Sequence, residues 1–256
     1  MAASNQRSAC VFCKATDRKI SKEHVWPKWL RKIVEGGHGG PIEHSRIHET
    51  RDRKTVLNES WPDIPFNWQV KGPCEPCNTS WMEGIESETR PVLTPLREHE
   101  NRTLDPSDQE ILARWAAIRV MMAQLGHPAE RRRAIREERY HRFCEAKELP
   151  PRSQIWLARR NGEGPWPANY AHKELFIATP ESAGPNAYVS AFSVGHVAFV
   201  YWGHEVEDGA TVHLGEGMKR FLIPIWPAIT AINWPPLGLL GATGLETVVE
   251  NLVATA

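Results

Sequence analysis

Two pairs of cysteines, each with two residues between them, are the residues of this chain best suited to chemistry. Cys10 and Cys13 form the first pair, and Cys74 and Cys77 form the second. Four thiolates from two such turns suit one tetrahedral Zn²⁺ ion in a closed structural site, because zinc accepts soft sulfur ligands. The alternatives are a redox pair, which would require a strand–helix–strand setting, or two reduced pairs that bind nothing. The fifth cysteine, Cys144, lies in a predicted helix and is expected to be an ordinary helix residue.

The pattern C-x-x-C … E-H-V-x-P … C-x-x-C-N runs through both pairs and resembles the HNH, or ββα-metal, endonuclease family in its zinc-stapled form. The resemblance covers about residues 8–90, a third of the chain. It implies that Glu23 occupies the family's acidic metal-binding position and that His24 is the general base. It also implies that Asn78 is a metal ligand and, by a looser match, that Asn67 orients the histidine. The implied activity is metal-dependent hydrolysis of phosphodiester bonds in DNA, or in RNA.

These residue types are consistent with such a cleavage. The oxygens of Glu23 and Asn78 suit Mg²⁺ or Mn²⁺, which would neutralise the phosphate and stabilise the leaving oxygen. The imidazole of His24, with an ordinary pKa of about 6.5, can take a proton from water at neutral pH. Adjacent residues of a flat strand point to opposite faces, however, so Glu23 and His24 require a bulge or must approach one phosphate from opposite sides. Without the surrounding motif, this pair would be read as exposed charges on a hairpin edge.

Two features depart from the family pattern. Glu23 stands where aspartate is more usual, and a basic, glycine-rich insertion at about residues 31–60 lengthens the gap between the cysteine pairs. In that insertion, His44 and His48 would lie one helical turn apart, as a candidate metal pair, if their segment were helical. The departures suit either a specialised nuclease or a degenerate one. The second hypothesis is therefore a zinc-stabilised module that binds nucleic acid or a protein and cuts nothing.

The sequence as a whole predicts an α+β fold with three parts. Residues 1–100 would form a treble-clef ββα-metal module, 101–150 a helical hairpin, and 151–256 an antiparallel β-sheet in an acidic accessory region. Apolar periodicity and capping residues predict helices at about 106–125 and 129–147. The second helix is rich in arginine, which suits either a solvated face or contact with a phosphate backbone. The predicted strands read SQIWLARR, ELFIAT, AYVSAF, HVAFVYW and RFLIPIW.

Composition and charge limit the function classes. The polar N-terminus lacks the apolar core of a secretory signal, and Arg, Pro or Gly interrupts the apolar stretches, so we expect a cytoplasmic protein with no membrane partner. Lysine and arginine outnumber aspartate and glutamate by 28 to 22 in residues 1–160, whereas the ratio is 3 to 9 in residues 161–256. The basic front is either the DNA-facing half or an ordinary surface. The acidic C-terminal half is expected to supply packing or a protein partner and no catalytic residue.

Overall fold

Helices and strands are interspersed along the chain, which is a mixed α+β protein as the sequence predicts. The computed structural model describes residues 9–30, 42–49, 55–63, 67–98, 100–126, 135–150, 152–161, 168–177, 185–206, 210–214, 216–241 and 243–255. The strands are β1 (Ile20–His24), β2 (Ile42–Glu49), β3 (Thr55–Asp63), β4 (Gln69–Cys74), β5 (Arg102–Leu104), β6 (Ser153–Arg160), β7 (Ala168–Leu175), β8 (Ala187–Val194), β9 (Val197–His204), β10 (Thr211–His213), β11 (Leu222–Trp226), β12 (Ile232–Trp234), β13 (Leu239–Leu240) and β14 (Val253–Thr255). The helices are α1 (Glu75–Cys77), α2 (Glu83–Arg97), α3 (Pro106–Leu125), α4 (Glu137–Ala146), α5 (Glu216–Lys219) and α6 (Gly244–Asn251), and a π-helical turn (Asn78–Met82) joins α1 to α2.

The largest sheet has eight strands in the order β11-β6-β9-β8-β7-β2-β3, with β13 also beside β6. Neighbouring strands are antiparallel except for two parallel pairs, β2 with β7 and β13 with β6. The predicted C-terminal antiparallel sheet is therefore present. One of its edges, however, is the hairpin β2–β3, whose residues belong to the insertion between the cysteine pairs. The strand predicted at residues 174–179 (ELFIAT) differs from the observed strand β7, which begins earlier, at Ala168, and ends at Leu175.

The same hairpin shows that the helical interpretation of the insertion is wrong. His44 and His48 lie in strand β2 and not in a helix. Residues four apart along a strand are separated by about 13 Å, whereas one helical turn spans only about 5.4 Å. The two histidines therefore do not form the helical metal pair. His38 and the glycine-rich part of the insertion lie outside the described residues.

Both faces of the large sheet are buried in its central strands. Every residue of β8 and β9 is buried. Successive side chains of a strand point to opposite faces, so Phe199 and Tyr201 join the cluster that contains Trp115 of α3, while Val200 and Trp202 join the cluster beneath α6. Burial on both faces explains why these strands read as nearly continuous apolar runs instead of an alternating pattern.

Helix α3 packs against helix α2 and against strands β4, β9 and β11. The side chain of Asp105 caps it by accepting a hydrogen bond from the backbone N–H of Asp108, 2.9 Å away, and Gly126 ends it. This confirms the predicted helix and its N-terminal cap. The following helix is shorter than predicted, because α4 begins at Glu137. Residues 127–134, with three arginines of the predicted second helix, lie outside the described residues.

One hydrophobic cluster links all three predicted parts of the chain. The ring of Phe12 packs against Tyr140 of α4 at 5.5 Å, and the ring of Trp115 packs against Phe192 of β8 at 5.8 Å. These side chains belong to one continuous core. The predicted boundaries at 100 and 150 stay a prediction, but the packing continues across both.

No helix in the described part of the chain has the length and apolar character needed to cross a membrane.

Candidate functional site

A two-stranded ribbon, β1 with β4, carries the motif residues of the front half. In its antiparallel register, Glu23 lies opposite Val70 and His24 lies opposite Gln69. β4 ends at Cys74, and the helical run from α1 to α2 follows at once. The ribbon therefore places the first motif segment directly beside the second cysteine pair.

Four cysteines converge at the base of this ribbon. The Sγ atoms of Cys10, Cys13, Cys74 and Cys77 all lie within 4.8 Å of one another. The Sγ distance is 3.9 Å between Cys10 and Cys77 and 3.6 Å between Cys13 and Cys74. Four sulfur atoms at the usual 2.3 Å from a tetrahedral Zn²⁺ ion would be about 3.8 Å apart. The four cysteines could thus hold one metal ion, and their spacing is consistent with structural zinc.

The surroundings of the thiols suit metal-bound thiolates. The backbone N–H groups of Cys13 and Cys74 point at the sulfur of Cys10, at 3.5 and 3.2 Å. Burial pushes the pKa of Cys13 upward, but hydrogen bonds from the N–H of Ala15 and from the other thiols outweigh burial and lower the pKa to about 7. Burial raises the pKa of Cys10 and of Cys77. A metal ion must therefore displace protons from these buried thiols, so metal affinity should fall at low pH.

Cys144 is a close neighbour of this cluster and not a member of it. It lies in α4, as an ordinary residue of a helix, and is buried. Burial raises the pKa of its thiol, while Lys147 and a hydrogen bond with Cys77 lower it. Its proximity to Cys77 could not be inferred from sequence, because the two residues lie far apart along the chain.

The residues after the Glu-His pair anchor the end of β1 in the core. Val25, Trp26 and Leu30 are fully buried. The ring of Trp26 packs against Phe192 of the large sheet at 5.2 Å. This anchor fixes the backbone at the end of β1, while His24 itself remains half-exposed.

Glu23 and Asn78 meet, although 55 positions separate them along the chain. The side-chain amide of Asn78 donates a hydrogen bond of 2.6 Å to Oε2 of Glu23. The one register shift in the ribbon lies between Ile20 and Lys22, before the Glu-His pair. Because the pairing is regular from Lys22 onward, the side chains of Glu23 and His24 point to opposite faces of the ribbon. The regular pairing excludes a bulge at the Glu-His pair and so counts against the nuclease hypothesis. The only geometry left for that hypothesis is one in which Glu23 and His24 approach a phosphate from opposite sides.

His24 contacts Gln69 and not the expected Asn67. The Nε2 atoms of His24 and Gln69 are 2.8 Å apart. Asn67 is exposed, and no side-chain hydrogen bond joins it to His24 among the described residues, so its role in orienting the histidine stays a prediction. Burial and the charge of Lys28 lower the pKa of His24, and the nearby Glu23 carboxylate opposes them. A lowered pKa keeps the imidazole neutral near pH 7, the form that accepts a proton.

A buried ion pair behind the ribbon was not predicted from the sequence. Nη1 of Arg119 donates to the backbone oxygens of Val25 and His24, at 3.0 and 3.5 Å. Its Nη2 lies 3.3 Å from Oε1 of Glu86, and the indole N–H of Trp29 donates to Oε2 of Glu86 at 3.2 Å. The side chain of Arg119 is fully buried. An arginine within the apolar run of α3 was the only sequence signal.

Glu86 is the acidic half of this pair and lies in the field of Glu23. Burial raises the pKa of Glu86, the negative charge of Glu23 adds to that rise, and the charge of Arg119 opposes it. The charge of Arg119 therefore favours the ionised form of Glu86. The pair ties helices α2 and α3 to the end of β1.

Replacing Arg119 with methionine should lower the free energy of unfolding by about 3–5 kcal/mol, because it leaves the Glu86 carboxylate buried without a cation. Urea denaturation of the purified protein measures this change. Arg114, on the same helix, is the matched control, since it pairs with Glu88 at 3.3 Å but is partly exposed. The Arg114→Met variant should lose less than about 1 kcal/mol. Equal losses in both variants would contradict the importance of the buried pair.

Comparison with known protein families, with curated proteins and with solved structures finds no match to this chain.

Proposed function

We propose that this chain is a metal-dependent endonuclease of the HNH type that hydrolyses phosphodiester bonds in DNA. The observation that carries the proposal is the meeting of Glu23 and Asn78 at 2.6 Å, beside a half-exposed His24, on a ribbon and helix joined by four cysteines. The order of ribbon, cysteine cluster and helix is the one expected of a treble-clef ββα-metal module, and it supports the proposal. Asn78 also begins a π-helical turn, an irregularity that is frequent at functional sites.

In the proposed reaction, the scissile phosphate lies at the end of β1 between Glu23 and His24. The neutral imidazole of His24 takes a proton from a water molecule, whose oxygen bonds to phosphorus as the bond to the leaving oxygen breaks. The leaving oxygen then takes a proton from solvent. Water must displace Gln69 from Nε2 of His24 for this step.

The oxygen donors of Glu23 and Asn78 fit Mg²⁺ or Mn²⁺, and these residues would hold the ion. The ion would neutralise phosphate charge and stabilise the leaving oxygen. Glu23 is not paired with a positively charged side chain among the described residues, so its carboxylate can bind a cation without breaking an ion pair. The hydrogen bond that it accepts from the Asn78 amide comes from a neutral donor and can rearrange.

The same hydrogen bond favours a second candidate function. Glu23 and Asn78 satisfy each other without any ion, as they would in a zinc-stabilised module that binds nucleic acid or a protein and does not cut. The two candidates differ in one measurable property, which is cleavage that depends on added Mg²⁺ or Mn²⁺.

Cleavage of supercoiled plasmid DNA tests the proposal. The wild-type protein should cut only with Mg²⁺ or Mn²⁺, Glu23→Ala should lose cleavage, and Glu23→Asp should keep it. Asn78→Ala should be impaired and should recover in part at higher Mg²⁺, because a missing ligand weakens metal binding. Glu75→Ala is the matched control, since Glu75 is an exposed glutamate close to the same cysteines. Plasmid binding by the wild type without cleavage in either metal would support the binding module instead.

A further inference from the structure

Two lysines face each other across the β1–β4 ribbon. The register places Lys22 directly opposite Lys71, and both side chains are exposed. Like charges in directly opposite positions of an antiparallel pair are destabilising. The free protein therefore gains nothing from this arrangement.

In the part of the chain that the structure describes, neither ammonium group has an acidic side chain as its partner. By contrast, Nζ of Lys19, the residue just before β1, lies 3.5 Å from the carboxylate of Glu75. The lysine pair is thus available to an anion from outside.

The lysine pair shares a face of the ribbon with the proposed general base. Residues two apart on a strand point to the same side, so Lys22 and His24 lie on one face, as do their partners Lys71 and Gln69. The two pairs are about 7 Å apart along the ribbon. For a ribbon that lies parallel to the DNA axis, along which the phosphates of one strand rise by about 3.4 Å each, this distance corresponds to about two nucleotides.

We propose that Lys22 and Lys71 form a phosphate-binding pair that holds the DNA backbone next to the scissile phosphodiester and so sets its position along the ribbon. The inference rests on the proposed nuclease function, whose site it extends. Ammonium groups contact phosphates as point charges, so the pair should position DNA of any sequence. The cost of placing two positive charges together is then offset only when the backbone is bound.

The salt dependence of binding to a short DNA duplex, without added Mg²⁺ or Mn²⁺, tests the pair. A plot of the logarithm of the binding constant against the logarithm of salt concentration should become shallower by about 0.9 for each phosphate that the protein no longer neutralises. We expect the Lys22→Gln/Lys71→Gln double variant to neutralise one or two fewer phosphates and to melt no lower than the wild type. Lys19→Gln is the matched control and should leave the slope unchanged, because Lys19 already has Glu75 as its partner.

Phosphate binding by the lysine pair and cleavage of DNA can be lost separately. An unchanged slope in the double variant, an equal change in Lys19→Gln, or no DNA binding by the wild type would overturn the lysine pair. A lysine-dependent slope in a protein that does not cut DNA would support the pair and reject the nuclease. Normal cleavage with an unchanged slope would reject the pair alone.

Discussion

Replacing Cys74 with serine should prevent the four-cysteine cluster from holding Zn²⁺ and should unfold the front of the molecule. Structural zinc contributes about 10–16 kcal/mol to the folding of zinc-finger peptides, as much as the whole stability of a typical domain. Cys74 is fully buried at the end of β4, and the cysteines join residues 10–13 to this strand. The loop they fix carries Phe12, whose ring packs against Trp81 and Tyr140 at 5.3 and 5.5 Å. Removal of the metal should therefore disturb the core as well.

Elemental analysis and thermal denaturation measure both effects. The wild type should contain one zinc per chain, and Cys74→Ser should contain much less and melt at least about 10 °C lower, since each kcal/mol shifts the melting temperature of a protein of this size by about 2–4 °C. Cys144→Ala is the matched control, because Cys144 is a buried cysteine next to the cluster and not part of it. It should keep one zinc. A Cys74→Ser protein that retains full zinc would contradict the four-cysteine site.

The sequence predicted those parts of the fold that depend on local patterns. The capping residue Asp105, the apolar spacing after it and Gly126 define a helix without reference to the rest of the chain. The tight turn between β8 and β9 follows from Gly195, which has a positive φ of 59°. The four-cysteine cluster was equally predictable, because metal-ligand spacing is a local feature of each pair.

The parts that the sequence did not predict depend on contacts between distant segments. The hairpin β2–β3 has no local signal for joining a sheet whose other strands begin beyond residue 150. Arg114 and Arg119 both interrupt the apolar pattern of α3, yet one is partly exposed and the other is fully buried. What distinguishes Arg119 from Arg114 is the position of its partners, which are Glu86 and the backbone oxygens of His24 and Val25. The contact of His24 with Gln69 follows in the same way from the register of two strands 45 residues apart.

Replacing His24 with alanine should lower the rate of plasmid cleavage by about 10²- to 10⁴-fold, the usual loss when a general base is removed. Zinc content and melting temperature should stay close to those of the wild type. His24 is half-exposed and is not part of the four-cysteine cluster. The buried Trp26 and the Arg119–Glu86 pair hold its backbone independently of its side chain. Single-turnover cleavage rates with saturating Mg²⁺ measure the loss.

Two further variants test whether the loss of cleavage is specific to the side chain of His24. His196→Ala removes another half-exposed histidine, in the turn between β8 and β9, and should cut DNA at the wild-type rate. Gln69→Ala removes the group that water must displace from Nε2 of His24, so it should retain most of the activity. Binding to DNA should survive in His24→Ala, whereas Cys74→Ser should lose binding and cleavage together. If His24→Ala cuts as fast as the wild type with its zinc intact, His24 is not the general base, and the zinc-stabilised binding module becomes the better account of the front half.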